Sequence, residues 1–249
     1  MATSFGALCT DFYVNQKLAV KMDLPGDRET ILHLFDRVRN DHPAMKRFRR
    51  YSDELSLESS RRDGAYQWLA LRANSVRCGH VNPDSLDAAY DLHRLILKLV
   101  PYNLTISPLD VDYQELLFGF DLEARDNQHE IVFDALFADS PLGALLECGP
   151  DARCIDAQPI FGVSLNDGCD LQAYFEVKTS TSTRQVRSGK FRTEPISILL
   201  TIRKLGPVDS PDAMLENFDM MAQTAERLAN DRVVPDLLTP ISRAITSSA

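Results

Sequence analysis

The chain has 249 residues, of which 44% are hydrophobic and 25% charged, and a formal net charge of −9. These proportions are ordinary for a folded globular protein, exclude wholesale disorder, and allow a core that needs no disulfide or metal staple. The acidic balance argues against a general polyanion binder, and no apolar run approaches the ~20 residues of a membrane-spanning helix.

The opening segment, MATSFGALCTDFYV, has neither a basic start nor an apolar stretch of export length, so a cytoplasmic protein is expected. Five cysteines (Cys9, Cys78, Cys148, Cys154 and Cys169) form an odd set without a C-x-x-C pair. That is neither a disulfide framework nor a zinc signature, and no cofactor or metal is expected. From Phe12, every second residue through Leu24 is apolar except Gln16, while Tyr13, Asn15, Lys17 and Lys21 alternate with them. Period two predicts a strand with one buried and one open face. Pro25-Gly26-Asp27 ends it, and Ile31, Leu34, Phe35 and Val38 then recur at helical spacing up to Pro43.

Two strands are predicted next, at 54–58 and 65–77, joined by a polar turn through Arg62-Asp63-Gly64. Asn82-Pro83-Asp84-Ser85 opens a second helix that Pro101 closes, and a long strand runs from about Val111 to Glu123. The order so far, βαββαβ, is that of a ferredoxin-like plait. Shifting the chain by 98 residues then lays Gln16-Lys17-Leu18 on Gln114-Glu115-Leu116 and Phe35-Asp36 on Phe133-Asp134. After a helix around Ile131–Leu136 come strands near 155–165, 170–179 and 194–204, with an Asn166-Asp167-Gly168 turn between the first two. A helix from Pro211-Asp212 follows, matching Pro83-Asp84 at a shift of 128, and a last helix begins near Pro235.

The expected fold is therefore α+β. Two pseudo-repeated β-α-β-β-α units, 1–108 and 109–249, form one continuous antiparallel sheet with helices on one face, the second unit carrying an extra strand. This arrangement resembles, in topology only, the saddle of the TATA-binding protein. No family is recognised from specific residues.

Strand parity places Tyr13, Lys17, Tyr113, Glu115, Tyr174, Glu176 and Lys178 on the sheet face opposite the helices, with Tyr66 and Trp68 expected beside them. A broad sheet face carrying aromatic rings marks an interaction surface. A second candidate is the polar segment 179–193, a long loop whose Arg184, Arg187, Lys190 and Arg192 could bind a phosphate or carboxylate. Aromatic rings on such a sheet also suit RNA stacking, but the basic, glycine-containing RNA-recognition signature is absent from 65–77, and nucleic acid is not expected. Glu176-Val177-Lys178, with Asp167 and Asp170 before it, resembles the E-x-K of the PD-(D/E)xK nucleases, which implies a Mg²⁺-dependent nuclease. The match departs from that family in lacking a Pro-Asp and a closing strand. Cys78 and His80 stand two apart as a possible thiolate–imidazole pair without an orienting third group.

Together these features point first to a non-enzymatic interaction or assembly module that self-associates through its open sheet face, with a homo-oligomer expected and a dimer favoured. The alternatives are a protein that binds, or acts on, a small anionic molecule at the sheet face and the 179–193 loop, and the Mg²⁺ nuclease. A protein partner is compatible with the first reading, and no membrane partner is expected.

Overall fold

A computed structural model describes residues 4–62 and 64–248. Nine strands form one antiparallel sheet in the order β2-β3-β4-β5-β1-β6-β9-β8-β7. The strands are β1 Asp11–Val20, β2 Met45–Arg50, β3 Leu55–Ser59, β4 Tyr66–Arg72, β5 Ser75–Val81, β6 Val111–Ala124, β7 Ile160–Ser164, β8 Leu171–Lys178 and β9 Glu194–Leu205. The helices are α1 Arg28–Asp41, α2 Leu86–Asn103, α3 Gln128–Leu136, α4 Thr183–Ser188, α5 Pro211–Leu228 and α6 Thr239–Ser248.

Alternation in β1 and β6 decides which face is dry. Phe12, Val14, Leu18, Leu116, Phe118 and Phe120 are buried, and α2 and α5 pack on this side against β5, β6 and β9. Phe5, Phe12, Phe118 and Phe120 interlock there, with ring centroids of Phe12 and Phe118 5.5 Å apart and their planes perpendicular. Edge-to-face contact of this kind adds to the area term, which is itself about 1.5–3 kcal/mol per buried large side chain. The opposite residues of the same strands, Tyr13, Asn15, Lys17, Glu115 and Leu117, are only half-buried.

Local signals account for the helix starts. Asp27 accepts from the Thr30 amide at 2.9 Å, Ser85 from Ala88 at 3.1 Å, and Ser210 from Ala213 at 3.1 Å. Each satisfies an amide that the first helical turn leaves orphaned. α2 continues two residues beyond Pro101, and α5 runs on through a π-helical stretch, Ala229–Leu238, into α6.

The structure differs from the expected strand list in three places. Met45–Arg50 is an edge strand, β2, with Met45 its single buried residue. The stretch read as one strand over 65–77 is a hairpin, β4 and β5, turning at Ala73-Asn74, and β5 continues to Val81. The first half thus holds a four-stranded meander, β2 to β5, where a plait would have two strands. The segment 179–193 contains α4, capped by Ser182 with Gln185 and ended by Gly189 in the left-handed region. Asp63, expected in a turn, lies outside the described residues. No helix among the described residues is long and apolar enough to cross a membrane.

Two glutamines interrupt the dry face where β1 meets β6. Gln16 lies opposite Leu116 and Gln114 opposite Leu18. Gln114 donates to the Met214 carbonyl at 3.0 Å and accepts from Asn217 at 3.2 Å, tying β6 to α5. Gln16 accepts from the Cys78 thiol at 3.6 Å, and that sulfur lies 3.1 Å from Nδ1 of His93 on α2. Both Cys78 and His93 are buried, so burial pushes the thiol up and holds the imidazole down to about 3, with repulsion from His80 adding to the latter.

Candidate functional site

The antiparallel register brings the open-face residues into transverse rows. One row runs Trp68, Gly79, Asn15, Leu117, Thr201, Tyr174, Gly162 from β4 to β7. The next runs Arg77, Lys17, Glu115, Arg203, Gln172 from β5 to β8. Sequence parity had assigned residues strand by strand; the register shows which of them are neighbours.

Three aromatic rings lie over glycines directly across the ladder. Tyr13 covers Gly119, Trp68 covers Gly79 and Tyr174 covers Gly162. A Cβ at Gly119 would come within 2.1 Å of the Tyr13 ring, one at Gly79 within 2.5 Å of the Trp68 indole nitrogen, and one at Gly162 within 2.8 Å of Tyr174. The missing side chains let the rings lie down on the sheet, an arrangement that also covers backbone a bare glycine would leave exposed. Burial, then the nearby Asp121, raises the Tyr13 hydroxyl. Burial likewise raises the Asp121 carboxyl, which accepts from that hydroxyl at 3.3 Å.

Cations line the rings. The Arg203 guanidinium sits 5.0 Å from the centroids of both Tyr113 and Tyr174 and donates through Nε to Glu115 at 2.7 Å. Lys17 lies 4.8 Å from the Tyr113 ring and donates to its hydroxyl. Arg77 lies 5.7 Å from Trp68, and Arg61 lies 4.6 Å from Tyr66. Such stacking holds each charged head at the ring face while leaving its other donors outward.

Between these groups the face is hollowed. A depression of about 270 Å³ is lined by Asn15, Lys17, Trp68, Arg77, Glu115 and Arg203 among others. Two more, of about 370 and 590 Å³, adjoin it and share Trp68 with it. The three make one trough running from the centre of the sheet toward β2 and β3. Asn15 borders this trough, but its Oδ1 is itself fully buried, without a hydrogen-bond partner among the described residues, beside the Trp68 indole nitrogen above Gly79.

The residues named from the sequence are placed as follows. Lys17, Trp68, Glu115, Tyr174 and Glu176 border the central depression, and Tyr113 stacks on two of its cations. Lys178 is at the end of β8, paired with Glu176 at 3.2 Å. Arg184 and Arg187 are exposed on α4, and Lys190 and Arg192 are exposed beyond it; none of the four lines the trough. Asp170 lies just before β8, six residues from Glu176 and about 20 Å along the extended chain, too far to share a metal ion. Among the described residues no group of three His, Cys, Asp or Glu side chains is placed to hold one. Cys78 meets His93 rather than His80, whose Nδ1 lies 3.4 Å from Gln67.

Arg203, Arg77, Thr201 and the three glycines are the members of the site that sequence reasoning missed. Arg203 alternates with the buried Ile198, Leu200 and Ile202 in β9, a signal sufficient to put it on the open face. The glycines carry no such signal, because their role depends on the strand across the ladder.

No family model matches the chain, and no curated protein matches it. Among solved structures, the di-domain ARO/CYC protein BexL from the BE-7585A biosynthetic pathway aligns over 94% of this chain and 98% of its own at 7% identity. The TM-score is 0.20, and the alignment carries no argument about fold or function.

Proposed function

We propose that the protein is a non-enzymatic interaction module and that the open sheet face is its contact surface, taking a small anionic molecule with a planar body in the trough around Trp68. The observation that carries this reading is a depression on the sheet face walled by flat aromatic rings with cations stacked on them. Trp68 and Tyr174 offer faces for stacking. Arg77 offers a cation beside Trp68 whose ion pair, to Glu54, is long at 3.7 Å, whereas Arg203 is held by Glu115 and Lys17 by Tyr113.

Self-association through the same face is the second reading. It is favoured by the gradient of charge: residues 1–100 hold 15 basic and 13 acidic residues, the remainder 12 and 23. In an isologous pair the basic half of one copy would face the acidic half of the other. The register supports an internal duplication as well. Lys17 pairs with Glu115, their separation is the 98-residue shift, and Gln16 and Gln114 fall symmetrically about that pair.

The chain has a single tryptophan, so Trp68 reports directly on the trough. Titration with 4-hydroxybenzoate and related hydroxylated aromatic acids is expected to change Trp68 fluorescence saturably, with at least about tenfold weaker binding in Arg77→Ala. No saturable change across such a series, together with an assembly mass lost in Lys17→Glu with Trp68→Ala, would transfer the assignment to self-association through the face.

A further inference from the structure

The sheet ends at β7, and that end is bare among the described residues. Val177 N–H donates to the Pro159 carbonyl at 3.0 Å and Leu165 N–H to the Leu171 carbonyl at 2.8 Å. Odd-numbered residues therefore bond to β8, and by alternation the N–H and C=O groups of Ile160, Gly162 and Ser164 point away from the sheet. All five residues are exposed, with Ile160 at 58%, Phe161 at 57% and Val163 at 48%. No charge occurs from Ala157 to Leu165. Such an edge, apolar and free of lysine or a bulge, is a template for another strand.

The parity of the sheet selects that strand. Nine antiparallel strands leave β2 and β7 running in the same direction. A second copy that continues the sheet with its helices on the same side can meet β7 antiparallel only through its own β7, about a twofold axis perpendicular to the sheet. Its β2 would arrive parallel, the weaker pairing. Two β2 strands would set Lys46, Arg47, Arg49 and Arg50 against the same four cations.

We infer that two copies of the chain join β7 to β7, giving one continuous sheet of eighteen strands with both troughs left open. Centred on Gly162, the twofold places Ile160 opposite Ser164 of the second copy, and Phe161 opposite Val163. Gly162 exchanges bonds with its counterpart, and Ile160 and Ser164 exchange theirs. Phe161 and Val163 then fall at the non-hydrogen-bonded pairs, where side chains approach most closely. With no charge on the strand, the twofold brings no like charges of β7 together.

The test is sedimentation velocity with the full chain from about 1 to 100 µM, spanning the affinity of a small interface. The expected result is a concentration-dependent dimer whose midpoint rises at least about tenfold in Ile160→Pro, which removes one outward N–H and spares the β8 ladder. Phe161→Lys should act alike and decides the matter if the proline variant fails to fold. Trp68→Ala should leave the dimer intact, which separates this inference from the trough assignment. A monomer throughout the range, or a dimer indifferent to both β7 substitutions, would overturn it.

Discussion

The two edges of the sheet have opposite characters. β2 carries Lys46, Arg47, Arg49 and Arg50 and exposes one large apolar side chain, Phe48, which leans 5.8 Å from Phe35 on α1. β7 carries no charge and exposes three apolar side chains. Both are edges, but the pairing of β2 with β3 is broken by a register shift between Met45 and Arg47, whereas β7 pairs with β8 without one. What separates them further is the cost of bringing a second strand near: four cations resist it on β2 in addition to the bulge, and nothing charged resists it on β7.

That contrast can be broken from either side. The largest effect expected is on assembly. Replacing Arg47, Arg49 and Arg50 by threonine removes the repulsion at β2, and light scattering should then show association beyond the dimer at concentrations where the parent chain shows none. If the stripped edge stays inert, charge is not what protects it. Ile160→Pro, described above, is the complementary change at the other edge.

Next in size is the floor between the edges. Gly119→Ala drives a methyl group into the Tyr13 ring, and urea unfolding should show a loss of about 1–3 kcal/mol, the usual range for overpacking. Adding Tyr13→Ala should return part of that loss. Equal destabilisation with and without the tyrosine would mean that the ring is not the obstacle.

Acid distinguishes the halves more gently. His93 belongs to the β2 side of the sheet, and burial lowers its folded value to about 3 from the ordinary 6.5. The unfolded chain binds the extra proton between those values, so stability contributed by the neutral imidazole is present above 6.5 and lost as pH falls toward 3. The slope contributed by one such group is at most about 1.4 kcal/mol per pH unit. Hydrogen exchange at pH 5 should therefore open α2 and β5 more than at pH 7. His93→Leu should reduce that difference, and an unchanged pH response in the variant would remove His93 as the cause.

Much of the frame was legible because local chemistry repeated it. The alternation from Phe12 to Val20 set a strand and its buried face at once, and Asp27, Ser85 and Pro211-Asp212 marked helix starts. β2 escaped because an edge strand with one buried residue has no period to read, and its cations fit a helix end equally well. The β4–β5 turn escaped because Arg72-Ala73-Asn74-Ser75 contains neither glycine nor proline. α4 is a single short turn in a polar segment, defined by the Ser182–Gln185 cap rather than by an apolar face. At the site, strand parity found the aromatic residues, whereas the trough depends on cross-strand register, which no single strand encodes.

The rings lying on Gly79, Gly119 and Gly162 have a further consequence, for how this surface can change over generations. Each ring and its glycine come from different strands, yet neither can be replaced alone without collision or an uncovered backbone. A lineage that gained a side chain at one of these glycines would have to shrink the ring across from it. The floor of the trough is thus inherited as three two-residue units spread over six strands, and drift must move each unit as a couple or leave it as it is.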